Sequence, residues 1–161
     1  MKLYLDMDGV QADFDTGFRK TFGFEAKDYE KKFGQKQFWK LIESHENFYG
    51  SLPKMLDVDF LWDAVDHLDP FVLTALPHSW PEEARKQKRY WFSVNRSKLA
   101  GDHFMAVVRA KNKAKFAEPG DILIDDREDI EPYWTDRGGI FIRHFNAYDT
   151  IRELKRHGVI K

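Results

Sequence analysis

The stretch LYLDMDGV, residues 3–10, runs an apolar segment into two acids, Asp6 and Asp8, and then into a glycine. Lys2–Leu5 reads as a short buried strand. Its C-terminal end therefore carries carboxylates and a residue free to turn. In open parallel sheets, ligand sites form beyond the carboxyl ends of the strands. The same arrangement recurs in DILIDD (121–126), entered through Pro119 and Gly120 and ending on Asp125 and Asp126. Between the two, PFVLTA (70–75) ends near Thr74. HFMAVV (103–108) and GGIFIR (138–143) complete a set of strand-like runs.

Helical patterns separate these runs. Asp57 is placed to cap a helix with Val58, Leu61, Trp62, Val65 and Leu68 on one side. Ser79 and Glu82 have capping-box spacing for a helix through about Val94. A last helix runs from about Asn146 to Gly158. From residue 57 onward strands alternate with helices, which implies a mainly parallel sheet. The expected fold is α/β: a Rossmann-like, mainly parallel five-stranded sheet with helices on both faces. Residues 15–55 interrupt the alternation. Phe14, Phe18 and Phe22 have helical spacing in a helix over 12–22, and QKQFWKLIESHE has the character of another. The segment is too long for a connection and too structured for a loop. It is read as a small helical cap inserted after the first strand, with residues 1–14 and 56–161 forming the core domain.

Composition narrows the function. The 161 residues suit one domain, and the net charge of -1 gives no global field for nucleic acid or a membrane surface. There is no cysteine, hence no disulfide framework and no thiolate chemistry. The N-terminal residues do not have signal-peptide character, and no apolar run approaches the roughly 18 residues of a membrane helix. A cytoplasmic setting is expected, with no membrane partner and no nucleic-acid partner. The six histidines lack ligand spacing and read as surface or helix-end residues. The basic stretch RKQKRYWF (85–92) reads as a solvated helix face.

If the strands ending in Asp6 and Asp125 are neighbours, four carboxylates converge, and their repulsion calls for a cation. An all-oxygen donor set suits Mg²⁺, which takes one or two carboxylates, waters and phosphate oxygens. Arg109, Lys111, Lys113 and Lys115 precede the DILIDD strand. One of the three lysines is expected to neutralise the acids and a bound phosphate. A nucleophilic Asp, a metal, a lysine and a hydroxyl together suit phosphoryl transfer. Each acid pair taken alone is better explained by a solvated turn, and it is their recurrence, with Thr74 between and a lysine before the second, that points to a site.

The order DMDGV (6–10), VLTA (72–75), Lys115 and IDD (124–126) resembles the four-motif pattern of the haloacid dehalogenase superfamily of phosphatases. DMDGVQADF, DILIDDREDI, the aromatic FW (38–39) and FYGSLP (48–53) resemble its 5'(3')-deoxyribonucleotidase group, whose cap follows the first strand. The resemblance implies a Mg²⁺-dependent phosphatase acting through an aspartyl-phosphate on deoxynucleoside monophosphates. Asp6 would be nucleophile and metal ligand. Asp8 would be general acid/base, giving its backbone carbonyl to the metal. Asp125 would be a ligand supported by Asp126, and Thr74 and Lys115 would hold the phosphate. Gly9 would bring backbone N–H groups to the phosphate. Gln11 stands where that group would have an apolar residue, and Ala75 where it usually has a small hydroxyl.

Phe18, Trp39, Phe48 and Tyr49 are candidates for stacking on a base, and equally for the cap's own core. Arg127 is a candidate substrate contact or a surface ion pair. A sugar phosphate or a nucleic-acid end is the alternative substrate. A phospho-accepting or non-catalytic Mg²⁺-binding module is the alternative class.

Overall fold

A computed structural model describes residues 1–161. Five strands, β1 (Leu3–Leu5), β2 (Phe71–Leu76), β3 (Phe104–Val108), β4 (Ile122–Asp125) and β5 (Ile140–Arg143), form one sheet in the order β3-β2-β1-β4-β5. Every pairing is parallel. The chain builds outward from β1 in one direction through β2 and β3, then returns to its other side with β4 and β5. The order therefore reverses between β1 and β4, where a crevice opens at the strands' carboxyl ends.

Side-chain alternation divides the core between the two faces. Leu3, Leu5, Val72, Leu76, Ile122 and Ile124 point into the larger cluster. There they meet α4 (Val58–Val65), α5 (Pro81–Asn95) and α7 (Ala147–Arg156). Tyr4, Leu73 and Leu123 face the smaller cluster with Ile130 and Trp134, the latter on α6 (Glu131–Thr135). The strands are apolar on both faces because both faces are covered.

Between β1 and β2 lie α1 (Phe14–Phe22), α2 (Ala26–Phe33) and α3 (Gln35–Ser44). Asp13 caps α1 by accepting from the Thr16 amide at 3.0 Å. Phe18, Phe38, Phe48 and Tyr49 of this region belong to the same continuous core as the sheet residues. Polar anchors add to that seam: the Trp91 indole donates to the Leu52 carbonyl at 2.7 Å, and the Tyr49 amide donates to Gln87 Oε1 at 3.1 Å.

Two expected caps work differently. Asp57 precedes α4 but makes no side-chain cap to it; its Oδ2 accepts from the Ala147 amide at 2.6 Å and so holds the start of α7. Ser79 and Glu82 form no capping box, because α5 begins at Pro81 after Trp80. Proline's fixed φ and missing N–H suit that first position. No helix is long and apolar enough to cross a membrane.

Candidate active site

Beyond Leu5 the chain stays in register with β4, the Asp6 amide donating to the Ile124 carbonyl at 2.9 Å. That places Asp6 beside Asp125. The chain then folds back tightly. The Met7 carbonyl accepts from the amides of Gln11 at 2.8 Å and Ala12 at 2.9 Å, and the Gly9 amide donates to the Ala12 carbonyl. Gly9 has φ +80°, and a Cβ there would lie 2.2 Å from Asp126 Oδ2. The turn thus needs glycine twice over: for its backbone, and to let the Asp126 carboxylate lie against it.

Gln11, the residue out of pattern, is fully buried. Its Nε2 donates to the Asp6 carbonyl at 2.8 Å, and its Oε1 accepts from the Trp62 indole at 2.8 Å. A polar side chain here costs nothing in unmet hydrogen bonds and ties the backbone of Asp6 to α4.

Asp6, Asp125 and Asp126 each offer a carboxylate oxygen within 4.8 Å of the others. The Asp8 carboxylate stands apart from this trio, held by Lys88 Nζ at 2.7 Å. Lys88 also donates to Thr74 Oγ1 at 2.9 Å and to the Ala75 carbonyl at 2.7 Å. Its ammonium lies 4.5 Å from the centre of the Tyr49 ring. The expectation that 85–92 is a solvated face therefore fails at Lys88, which is fully buried. The signal was present: Ala84, Gln87, Lys88, Trp91 and Phe92 follow helical spacing, and all five are buried. A lysine within an apolar stripe needs buried partners, and the site supplies them.

The lysine before β4 is Lys113, not Lys115. Ala110–Phe116 is a 3₁₀ helix, whose side chains align every three residues. Lys113 therefore shares the inward face with Ala110, while Lys115 is exposed. Lys113 Nζ lies 2.8 Å from Asp6 Oδ1 and 2.6 Å from Asp125 Oδ2. Asp125 also accepts from the Arg127 amide at 3.0 Å.

These contacts set the protonation states. Burial would lower Lys113, but Asp6 and Asp125 outweigh it and raise it, so the ammonium keeps its charge. Burial and then Asp6 push Asp125 up to about 6, against the pull of Lys113. Burial of the carboxyl end and repulsion from Asp6, Asp125 and Asp8 push Asp126 up to about 8. Asp126 is exposed as a residue, so solvent screening tempers that rise. Burial raises Asp8 above the usual carboxylate range despite Lys88. Its Oδ1 is buried without a hydrogen-bond partner.

The residues fit a hard divalent cation. They provide three converging carboxylates, a glycine cradle that brings in Asp126, and protonation held high by burial and mutual repulsion, the latter of which a cation would relieve.

A cavity of about 620 Å³ opens over these groups. Asp6, Asp8, Gly9, Ala75, Lys113, Asp126 and Arg127 line it, as do Trp39 and Tyr49. Asp125, Thr74 and Lys88 lie beneath the lining. Phe18 and Phe48, expected as stacking candidates, are fully buried and do not line the cavity. They pack with Phe22 and Phe38 at ring separations of 4.9–5.7 Å. Phe14 and Phe38 reach the cavity instead. Arg127 lines it with an exposed side chain paired to Asp129 at 2.8 Å. His144, expected at the surface, is buried at the cavity wall, its Nδ1 2.7 Å from Thr150 Oγ1.

No protein-family model and no curated protein matches the sequence. Solved structures do resemble the fold. A predicted phosphatase from Clostridium acetobutylicum superposes with a TM-score of 0.58 at 11% identity, covering 98% of this chain and 90% of that one. A hydrolase from Streptococcus pneumoniae TIGR4 superposes with a TM-score of 0.50 at 11% identity, covering 96% and 97%. At such identity the likeness speaks for the architecture.

Proposed function

We propose that this chain is a Mg²⁺-dependent phosphatase that hydrolyses phosphate monoesters through an aspartyl-phosphate on Asp6. The observation that carries this reading is the pairing of two differently held carboxylates at one cavity floor. Asp6 belongs to the metal-competent acid trio. Asp8 is held apart by Lys88 and raised by burial. Environments that set two acids apart in this way divide the roles of nucleophile and proton carrier. The motif resemblance to haloacid dehalogenase phosphatases supports the same assignment, as do structural neighbours described as a predicted phosphatase and a hydrolase.

In the first step a carboxylate oxygen of Asp6 attacks phosphorus and the P–O bond to the leaving group breaks. Asp8 gives its proton to the departing oxygen, releasing an alcohol. In the second step Asp8 takes a proton from water, which attacks the same phosphorus. The P–O bond to Asp6 breaks, phosphate leaves, Asp6 regains its carboxylate and Asp8 its proton. Lys88 orients Asp8; its three donors are taken by Asp8, the Thr74 hydroxyl and the Ala75 carbonyl, so it acts on the phosphate through its charge and not by direct contact. Lys113 holds Asp6 and Asp125 in place. Asp6, Asp125 and Asp126 would hold Mg²⁺ together with the Asp8 carbonyl. When bound, the ion would neutralise the acids and the phosphate oxygens.

The substrate best suited to this cavity is a deoxynucleoside monophosphate. Trp39 and Phe14, with Tyr49 and Phe38 buried behind them, give the lining aromatic surface for a base, and its size matches a small-molecule site. The test is phosphate release from nucleoside monophosphates and sugar phosphates, with and without Mg²⁺, beside Asp6→Asn. Mg²⁺-dependent release from deoxynucleotides, lost in the variant, is expected. Release that persists in Asp6→Asn would overturn the mechanism, and release from sugar phosphates alone would overturn the substrate class.

A further inference from the structure

A second cavity of about 540 Å³ adjoins the first. The two share Trp39, His78 and Arg109, so the outer chamber lies directly beside the one over the acid trio. The outer chamber is basic. Lys36, Lys40 and Arg109 line it against a single acid, Glu43. Lys36, Lys40 and Glu43 recur on one side of α3 at helical spacing, with Trp39 between them.

Like many surface cations of this chain, Lys36, Lys40 and Arg109 have no carboxylate within ion-pair distance, which leaves their charge free to meet an anion. Arg109 holds φ +68°, which a side chain with a Cβ rarely adopts, at the point where β3 gives way to the 3₁₀ helix carrying Lys113. Such conformations persist where the surrounding structure enforces them, and they cluster at ligand sites. The first cavity is already large enough for a mononucleotide-sized ligand, so the outer chamber has room for something more.

We propose that the outer chamber is a second anion subsite, which binds a further phosphate on the same nucleotide whose terminal monoester sits over Asp6. This rests on the phosphatase reading above. Trp39, common to both chambers, is the platform for the base or sugar between them. Arg109 offers a planar fork for phosphate oxygens, and Lys36 and Lys40 offer point charges. The preferred ligand is a nucleotide phosphorylated at both its 3' and 5' positions, either free or as the phosphorylated terminus of an oligonucleotide. In both sources the recognised chemistry is the second phosphate. The inference narrows the substrate from any monophosphate to one with two anionic ends.

The experiment compares kcat/KM for 3'-monophosphates, 5'-monophosphates and 3',5'-bisphosphates, together with 5'- and 3'-phosphorylated dinucleotides. Wild type, Lys36→Gln/Lys40→Gln and Arg109→Gln are assayed at low and high salt. Wild type should favour the bisphosphate over the better monophosphate by about tenfold at low salt, and the preference should shrink as salt rises. Lys36→Gln/Lys40→Gln should bring the ratio close to one with monophosphate turnover unchanged, and Arg109→Gln should lower it too. Turnover of the dinucleotides on a par with the bisphosphate identifies a nucleic-acid end as the source. Turnover of the bisphosphate alone identifies a free nucleotide. A ratio near one in wild type, or one that the lysine variant leaves intact while monophosphates turn over normally, overturns the subsite and spares the phosphatase reading. If no ester is hydrolysed, the phosphatase reading falls, and calorimetric binding of the bisphosphate decides the subsite by itself. Weaker binding to the lysine variant than to wild type supports it, and equal binding overturns it.

Discussion

Replacing Lys113 by Met keeps the length of the side chain and removes its charge from between Asp6 and Asp125. Lys113 is 1% exposed and touches the two carboxylates at 2.8 and 2.6 Å. Removing one member of a buried ion pair costs about 3–5 kcal/mol, because the other is left without compensation. For a chain of this size each kcal/mol shifts Tm by roughly 2–4 °C, so a fall of roughly 6–20 °C is expected in EDTA at pH 8. The pH dependence follows from Asp125. Its folded pKa is about 6 with Lys113 present, against an ordinary value of 3.8. The native state therefore binds more protons than the unfolded chain between those values, and wild-type stability falls as pH rises through that window. Without Lys113 the folded pKa of Asp125 moves higher, so the variant keeps losing stability above pH 6, where this contribution has levelled off in wild type. The deficit should therefore be small at pH 5 and large at pH 8. Exposed Lys115 is the control, and Lys115→Met should stay within about 0.5 kcal/mol of wild type. Thermal unfolding by circular dichroism in EDTA across this pH range reads all of this. A Lys113→Met protein that melts within about 2 °C of wild type at pH 8, or a Lys115→Met protein with the same loss, would refute the placement of the ammonium.

Other substitutions test other parts of the site. Lys88→Met should lower kcat for phosphate release by about 10²-fold, since it removes a preorganised cation from Asp8 and Thr74; an unchanged kcat would count against its role. Gly9→Ala should destabilise by about 1–2 kcal/mol through its positive φ alone and weaken Mg²⁺ binding by displacing Asp126, as measured by calorimetry. Mg²⁺ affinity in wild type should rise as pH increases from 5.5 to 8.5, because Asp125 at about 6 and Asp126 at about 8 must lose protons to bind it. A flat calorimetric profile over that range would show that these acids are not the ligands.

The strands and their polarity were legible along the chain. An apolar run that ends in acids, occurring twice, reads as a buried strand delivering charge to its end, and β1 and β4 do this at Asp6 and Asp125. Alternation of strand and helix then implied the parallel sheet, since parallel neighbours need crossovers. What the sequence could not contain was adjacency. That Asp6 lies beside Asp125 follows from the pairing of β1 with β4, a contact between residues far apart in the chain. The solvated cations Lys86 and Arg89 mask Lys88 in the sequence, although helical spacing sets it on the buried stripe of Ala84, Trp91 and Phe92. Lys115 lost to Lys113 because the segment winds as a 3₁₀ helix, so counting residues back from the acids pointed to the wrong face. Phe18 and Phe48 went to the core, and Trp39 and Tyr49 to the cavity, although all four are aromatic side chains in one segment. Local chemistry determined which residues could form such a site. The packing of helices against the sheet decided which of them reached it, because burial of a lysine or an aromatic ring is a property of its surroundings and not of its place in the chain.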